Sequence, residues 1–124
     1  MNSYRAFNID ALGFSHLSSG LPKQDNTLSN VSDAYAIAAV ADGHGSPQYI
    51  RSDRGSAFAV EVCVNLLTDM FTRGVDAKRN AEKLKRFIKR DWDKKVVEDF
   101  AANPLTLEED NRLRAAIDSE SDGQ

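Results

Sequence analysis

Asp42-Gly43-His44-Gly45 is the segment of this chain whose residue types come closest to a reactive site. It places a carboxylate, a backbone without a side chain and an imidazole in three consecutive positions, directly after the apolar run Ala34 to Ala41 (AYAIAAVA). A strand ending there would project Asp42 into a cleft. Gly43 would let a metal or ligand reach a main-chain carbonyl, and His44 could move a proton near neutral pH. The same four residues also suit a tight turn in which Asp and His bond only their own backbone, and so short a motif can match by accident. A second polar cluster, Pro22-Lys23-Gln24-Asp25-Asn26, lies upstream, preceded by Ser15-His16. Asp and Asn in a loop are commonly turn formers, so this cluster gains meaning only in combination with the first.

The elements that must position these residues are legible in outline. Tyr4 to Phe14 alternates loosely (Tyr4, Ala6, then Phe7, Ile9, Ala11) and reads as a strand that can bend at Gly13. Ser15 to Asn30 is rich in Ser, Gly and Asn and reads as a loop. Ala34 to Ala41 is nearly uninterrupted in apolar residues, as expected of a strand buried on both faces. From Asp53 to Arg73, Val60, Val64, Leu67 and Phe71 recur at helical spacing, with Ala59, Val62, Leu66 and Met70 on a neighbouring face. Gly74 then stands where a left-handed C-terminal residue is commonly needed. Ala77 to Ala102 predicts a second helix with a stripe of Leu84, Ile88, Trp92, Val96 and Phe100, closed by Pro104. Thr106 and Glu109 have the form of a capping box that opens a third helix carrying Leu107, Leu113 and Ile117, and Ser119 to Gln124 reads as a frayed tail.

Composition narrows the classes. The 124 residues suit one domain, and 41% apolar with 28% charged residues is the make-up of a folded globular chain. A net charge of -3 argues against a generic nucleic-acid binder, which needs excess Lys and Arg to replace counterions on phosphate. Cys63 is the sole cysteine, so no internal disulfide can form, and a reducing cytoplasm is the expected compartment. No run approaches the roughly 20 apolar residues of a membrane span, and MNSYRAFNID lacks the features of a signal peptide.

Taken together, Gly13-Phe14-Ser15-His16, Gly20-Leu21-Pro22-Lys23-Gln24-Asp25, the apolar strand, Asp42-Gly43-His44-Gly45 and Arg54-Gly55-Ser56-Ala57 opening a helix resemble the start of a bacterial-type protein phosphatase 2C (PPM) domain. The motifs lie within residues 5 to 72. The helix around Trp92 and the Pro104-Leu105-Thr106 segment resemble an insert of one bacterial branch. The resemblance implies an α+β chain that forms part of the family's β-sandwich flanked by helices, incomplete here. Residues 1–118 would be the N-terminal part of a single phosphatase domain and 119–124 a flexible tail.

In that family two Mn²⁺ or Mg²⁺ ions share an aspartate matching Asp42, and one ion also takes the carbonyl oxygen of the residue matching Gly43. The aspartate matching Asp25 holds water bound to the metal, and the histidine matching His44 protonates the leaving serine or threonine oxygen. The implied reaction is hydrolysis of phosphoserine or phosphothreonine in proteins. Two cations would lower the pKa of a bridging water and neutralise phosphate charge, so that attack on phosphorus needs no covalent enzyme intermediate. The implied partners are a phosphorylated protein and a Ser/Thr kinase or its targets. Two positions depart from the pattern. Gln24 stands where a Glu ligand is frequent, and an amide binds a hard cation less well. Gly20 stands where many members carry a phosphate-gripping arginine, leaving Lys23, Arg51 or Arg54 as substitutes or as ordinary surface charges.

Other candidates have simpler readings. Ser46 and Ser56 are expected as cap or turn residues, since nothing arranges an Asp and a His to activate either. Cys63 falls inside an apolar helix as a small buried hydrophobe. The nine Lys and Arg residues from Lys78 to Lys95 read as a solvated face, with Glu82 to Arg86 and Asp91 to Lys95 spaced for pairing. The further aspartates of a two-metal site are expected beyond residue 124. Asp110-Asn111 and Asp122-Gly123 resemble them only as dipeptides, so this stretch alone is expected to bind metal weakly and hydrolyse little. The rival expectation is a non-catalytic phosphatase-like binding module.

Overall fold

The computed structural model describes residues 25–45 and 49–122. The strand expected over Tyr4 to Phe14 lies outside them. Two strands, β1 (Asn26–Val31) and β2 (Ala36–Ala41), pair antiparallel from Asn26 opposite Ala41 to Val31 opposite Ala36. Three helices follow: α1 (Ser52–Thr72), α2 (Ala81–Ala102) and α3 (Leu107–Asp122). The architecture is α+β, with the hairpin packed on one side of α1 and α2 on another.

β1 corrects the expected loop over Ser15 to Asn30. Its polar residues, which suggest a turn by composition, find partners on α1 instead. The Asn26 amide donates to Ser56 Oγ (2.7 Å) and to the Asp53 carbonyl (3.1 Å), and the Asn30 amide donates to Thr68 Oγ1 (3.0 Å). Tertiary hydrogen bonds therefore override the turn preference of Asn. β2 is shorter than the apolar run, because Ser32 draws Ala34 and Tyr35 into the hairpin turn. Its hydroxyl accepts their N–H groups at 3.1 and 3.2 Å, while its own N–H donates to the Tyr35 carbonyl. Nor is β2 buried on both faces. Ile37 faces α1 at 4% exposure, whereas Val40, on the opposite face, is 78% exposed. A run of alanines is apolar enough to read as doubly covered without being so.

α1 carries most of the core, with Val60, Val62, Val64 and Met70 all buried. Removing such side chains from water stabilises the fold by about 1.5–3 kcal/mol each. The helix stops at Gly74, whose φ of +69° is open to glycine at little cost. There the Gly74 and Val75 N–H groups donate to the Phe71 and Met70 carbonyls, the crossed pair of bonds that closes a helix end. α2 begins four residues later than expected, since Asp76 holds residues 77–80 in a turn by accepting from the Arg79 N–H and the Asn80 side chain. Leu84, Ile88, Trp92 and Val96 are half-buried, and the Trp92 indole N–H reaches the Gly55 carbonyl on α1 (2.8 Å). Its charged face is solvated, with pairings that differ from the expected ones: Lys85 to Glu82, Lys89 to Asp93, Arg90 to Asp91, and Lys95 across to Glu61 of α1.

The capping box of α3 forms as read from the sequence. The Glu109 N–H donates to Thr106 Oγ1 and the Thr106 N–H to Glu109 Oε1, both at 3.1 Å. The helix continues to Asp122, so the tail expected to fray from Ser119 is helical up to there. Among the described residues no helix is long and apolar enough to cross a membrane.

Candidate functional site

The register of the hairpin builds the site. Because Asn26 faces Ala41, the residues one step beyond, Asp25 and Asp42, emerge side by side where the strands end. Asp25 Oδ1 accepts the Gly43 N–H (3.2 Å), which draws the loop after β2 back over the start of β1. The two carboxyl groups are close enough to act on each other. Hydrogen bonding to Asp25, then repulsion from its charge, pushes the Asp42 carboxyl above the ordinary carboxylate range; slight burial adds to this and nearby His44 opposes it. Four residues singled out by sequence, Asp25, Asp42, Gly43 and His44, thus converge at one end of the sheet.

His44 is exposed, and its imidazole stacks on the Tyr49 ring with centroids 4.2 Å apart and planes at 22°. The Ser52 hydroxyl lies 2.5 Å from the His44 carbonyl and 2.8 Å from that of Tyr49, at the first residue of α1. Neither Tyr49 nor Ser52 stands out in the sequence. A serine opening a helix suggests a cap, but this one donates to carbonyls outside the helix. Beside the cluster runs a groove of about 430 Å³, walled by Asp42, His44, Tyr49, Arg54, Trp92 and Phe100 among others.

Arg51 is not available to grip an anion. Its guanidinium forks onto Glu109 at 2.6 and 2.8 Å, reaches Asp99 (3.4 Å) and the Pro104 carbonyl (3.3 Å), and lies 4.7 Å over the Phe100 ring. Its side chain is only 8% exposed. The bond to Arg51, helped by the Thr106 N–H, lowers the Glu109 carboxyl to about 2. Burial works against the charged form of Asp99, yet the hydrogen bond and charge of Arg54, with Asn103 and Arg51, hold its carboxyl below the usual value. Arg54 is 44% exposed and contacts Asp99 at 3.1 Å, so it is engaged but not enclosed. Ser56 is buried and braces α1 against β1, a structural role. Burial raises the half-buried Cys63 thiol, the wrong direction for a nucleophile. Asp110 lies within α3, where it pairs with Arg114.

Two adjoining carboxyl groups and a main-chain carbonyl are hard oxygen donors of the kind that suits Mg²⁺ or Mn²⁺, and a divalent cation would favour the charged form of both carboxyls. Among the described residues no group of three or more His, Cys, Asp or Glu side chains is gathered closely enough to hold a metal ion. The donor set present is therefore a partial one. No curated protein and no solved structure matches the chain. A family model described as protein phosphatase 2C does match, over residues 12–119, a span that takes in both strands, α1, α2 and most of α3. With the match covering most of its length, the chain belongs to the protein phosphatase 2C family.

Proposed function

We propose that this chain contributes to metal-dependent hydrolysis of phosphoserine and phosphothreonine in proteins. The observation that carries the reading is the meeting of Asp25 and Asp42 beside Gly43 and His44, in a chain of the phosphatase 2C family. Asp42 and the Gly43 carbonyl would hold Mn²⁺ or Mg²⁺, with Asp25 supporting through water. When bound, such ions supply a nucleophilic water at neutral pH and neutralise phosphate charge. His44 would donate the proton that turns the departing serine or threonine oxygen into a neutral alcohol. The Asp25 to Gly43 bond fixes the loop that carries all three groups. Residues 1–118 would belong to one phosphatase domain whose sheet extends into the family sandwich, acting in the cytoplasm on targets of a Ser/Thr kinase.

The test is Mn²⁺ titration by calorimetry with hydrolysis of a phosphoserine peptide on the same samples. Weak heat and at most slow turnover are expected, both lost in Asp42→Asn and turnover alone lost in His44→Ala. Turnover that survives both substitutions would sink the reading.

A second reading, a binding module for phosphoproteins without turnover, is favoured by one feature. Arg51, a candidate for the missing phosphate-gripping arginine, is consumed by Glu109 and Asp99. Saturable binding of the phosphopeptide with no release of phosphate under Mn²⁺ would select it.

A further inference from the structure

His44 sits between two glycines on an exposed loop, so its own backbone does little to fix where the imidazole points. A proton donor has to be held within hydrogen-bond reach of the atom it protonates, and small misplacements are costly in rate. The orientation must therefore come from neighbours. Two supply it. The Tyr49 ring covers one face of the imidazole, 4.2 Å between centroids, which leaves the ring edge with its nitrogens for proton transfer. The Ser52 hydroxyl, carried by the first residue of α1, reaches both the His44 and the Tyr49 carbonyls, tying the backbone of both residues to the helix.

We propose that Tyr49 and Ser52 are positioning residues for His44: the tyrosine ring sets the plane of the imidazole and the serine hydroxyl holds the backbone of both rings. The inference deepens the reading of His44 as proton donor and rests on it for its catalytic meaning. The contact with Tyr49 works through the ring face, so phenylalanine should serve and leucine should not. Tyr49 is 45% exposed, so its loss should leave the fold standing.

The decisive experiment is independent of turnover. In the full chain labelled with ¹³C-histidine, His44 is assigned by comparison with His16→Gln, and its ring-proton shifts are recorded folded and in urea. The tyrosine ring current is expected to displace them upfield in the folded chain. Tyr49→Leu should abolish the displacement and Tyr49→Phe retain it, while Ser52→Ala should reduce it and Ser52→Thr restore it. Circular dichroism on each variant checks that the helices persist. In the phosphopeptide assay, Tyr49→Leu should lower kcat roughly ten- to a hundredfold with KM little changed, and Tyr49→Phe should recover it. Absence of displacement in the wild-type chain, or its survival in Tyr49→Leu, overturns the proposal even if the chain hydrolyses phosphoesters. Displacement that is lost in Tyr49→Leu supports it even if no hydrolysis is found, in which case the phosphatase reading alone falls.

Discussion

The end of the hairpin and the corner where α2 meets α3 treat charge in opposite ways. At the hairpin, Asp25 and Asp42 crowd together in the open, and Asp42 is held above its ordinary pKa by its neighbour. At the corner, Arg51 meets Glu109 and Asp99, with both carboxyls carried downward and the arginine nearly enclosed. A stable fold tends to pair its charges, as the corner does. Neighbouring carboxyl groups that hold one another's pKa up cost stability at neutral pH, and such perturbed groups cluster at functional sites. The corner thus holds α1, α2 and α3 in place, while the strained hairpin end accords with the metal binding proposed for it.

The sharpest way to break the comparison is at the corner. Arg51→Ala leaves Glu109 and Asp99 without their shared cation and should cost about 2–4 kcal/mol in urea unfolding. Arg51→Lys should recover little of this, because an ammonium cannot reproduce the fork on Glu109.

Acid should pull the two regions apart. Glu109 has its carboxyl lowered from 4.5 to about 2, so its contribution is fully present above 4.5 and is lost as pH falls through about 2. Asp42 is raised, first by its hydrogen bond with Asp25 and then by that group's charge, so its contribution to stability is present in acid and is lost as pH rises through the raised value. Urea midpoints measured from pH 7 down to pH 2 should fall for the wild-type chain, and less steeply for Glu109→Gln.

Asp42→Asn should remove the repulsion without loss of stability while weakening Mn²⁺ binding at least about tenfold, or 1.4 kcal/mol, by calorimetry. A variant that unfolds more easily would show that the carboxylate pair is a structural feature and not a binding one. The smallest effect is expected at Gly55→Ala. A methyl there would meet Trp92 at 3.6 Å, an ordinary contact, in a helical position without positive φ. Thermal unfolding should shift upward slightly, by about 0.4–1 kcal/mol, from the lower entropy of the unfolded chain.

The helices were readable because their signals are local. Val60, Val64, Leu67 and Phe71 repeat at helical spacing, Gly74 marks a stop, and Thr106 with Glu109 announces a start four residues wide. β1 was not, because Asn26 and Asn30 look like loop residues until Ser56 and Thr68, 30 and 38 positions away, are brought against them. The core of the candidate site was half legible. An apolar run ending in Asp42 and His44 points to a strand-end cluster, but only the pairing register sets Asp25 beside Asp42. Arg51 gave no warning of its role, since its partners Asp99 and Glu109 lie 48 and 58 residues away. Tyr49 and Ser52 were silent for the same reason at shorter range: a stacked ring and a hydroxyl shared by two carbonyls leave no periodic trace.

Glu109 Oε1 accepts from both the Thr106 N–H and the Arg51 guanidinium. The start signal of α3 is thus also its mooring. Among the described elements only the hairpin, α1 and α2 pack extensively on one another, and the ion pair at its N-terminal turn ties α3 to the residue that precedes α1. Opening that turn would release the ion pair in the same event. Amide hydrogen exchange in the turn just after Glu109 should therefore be slow, and Arg51→Ala should quicken it, because that turn cannot open while the arginine grips it.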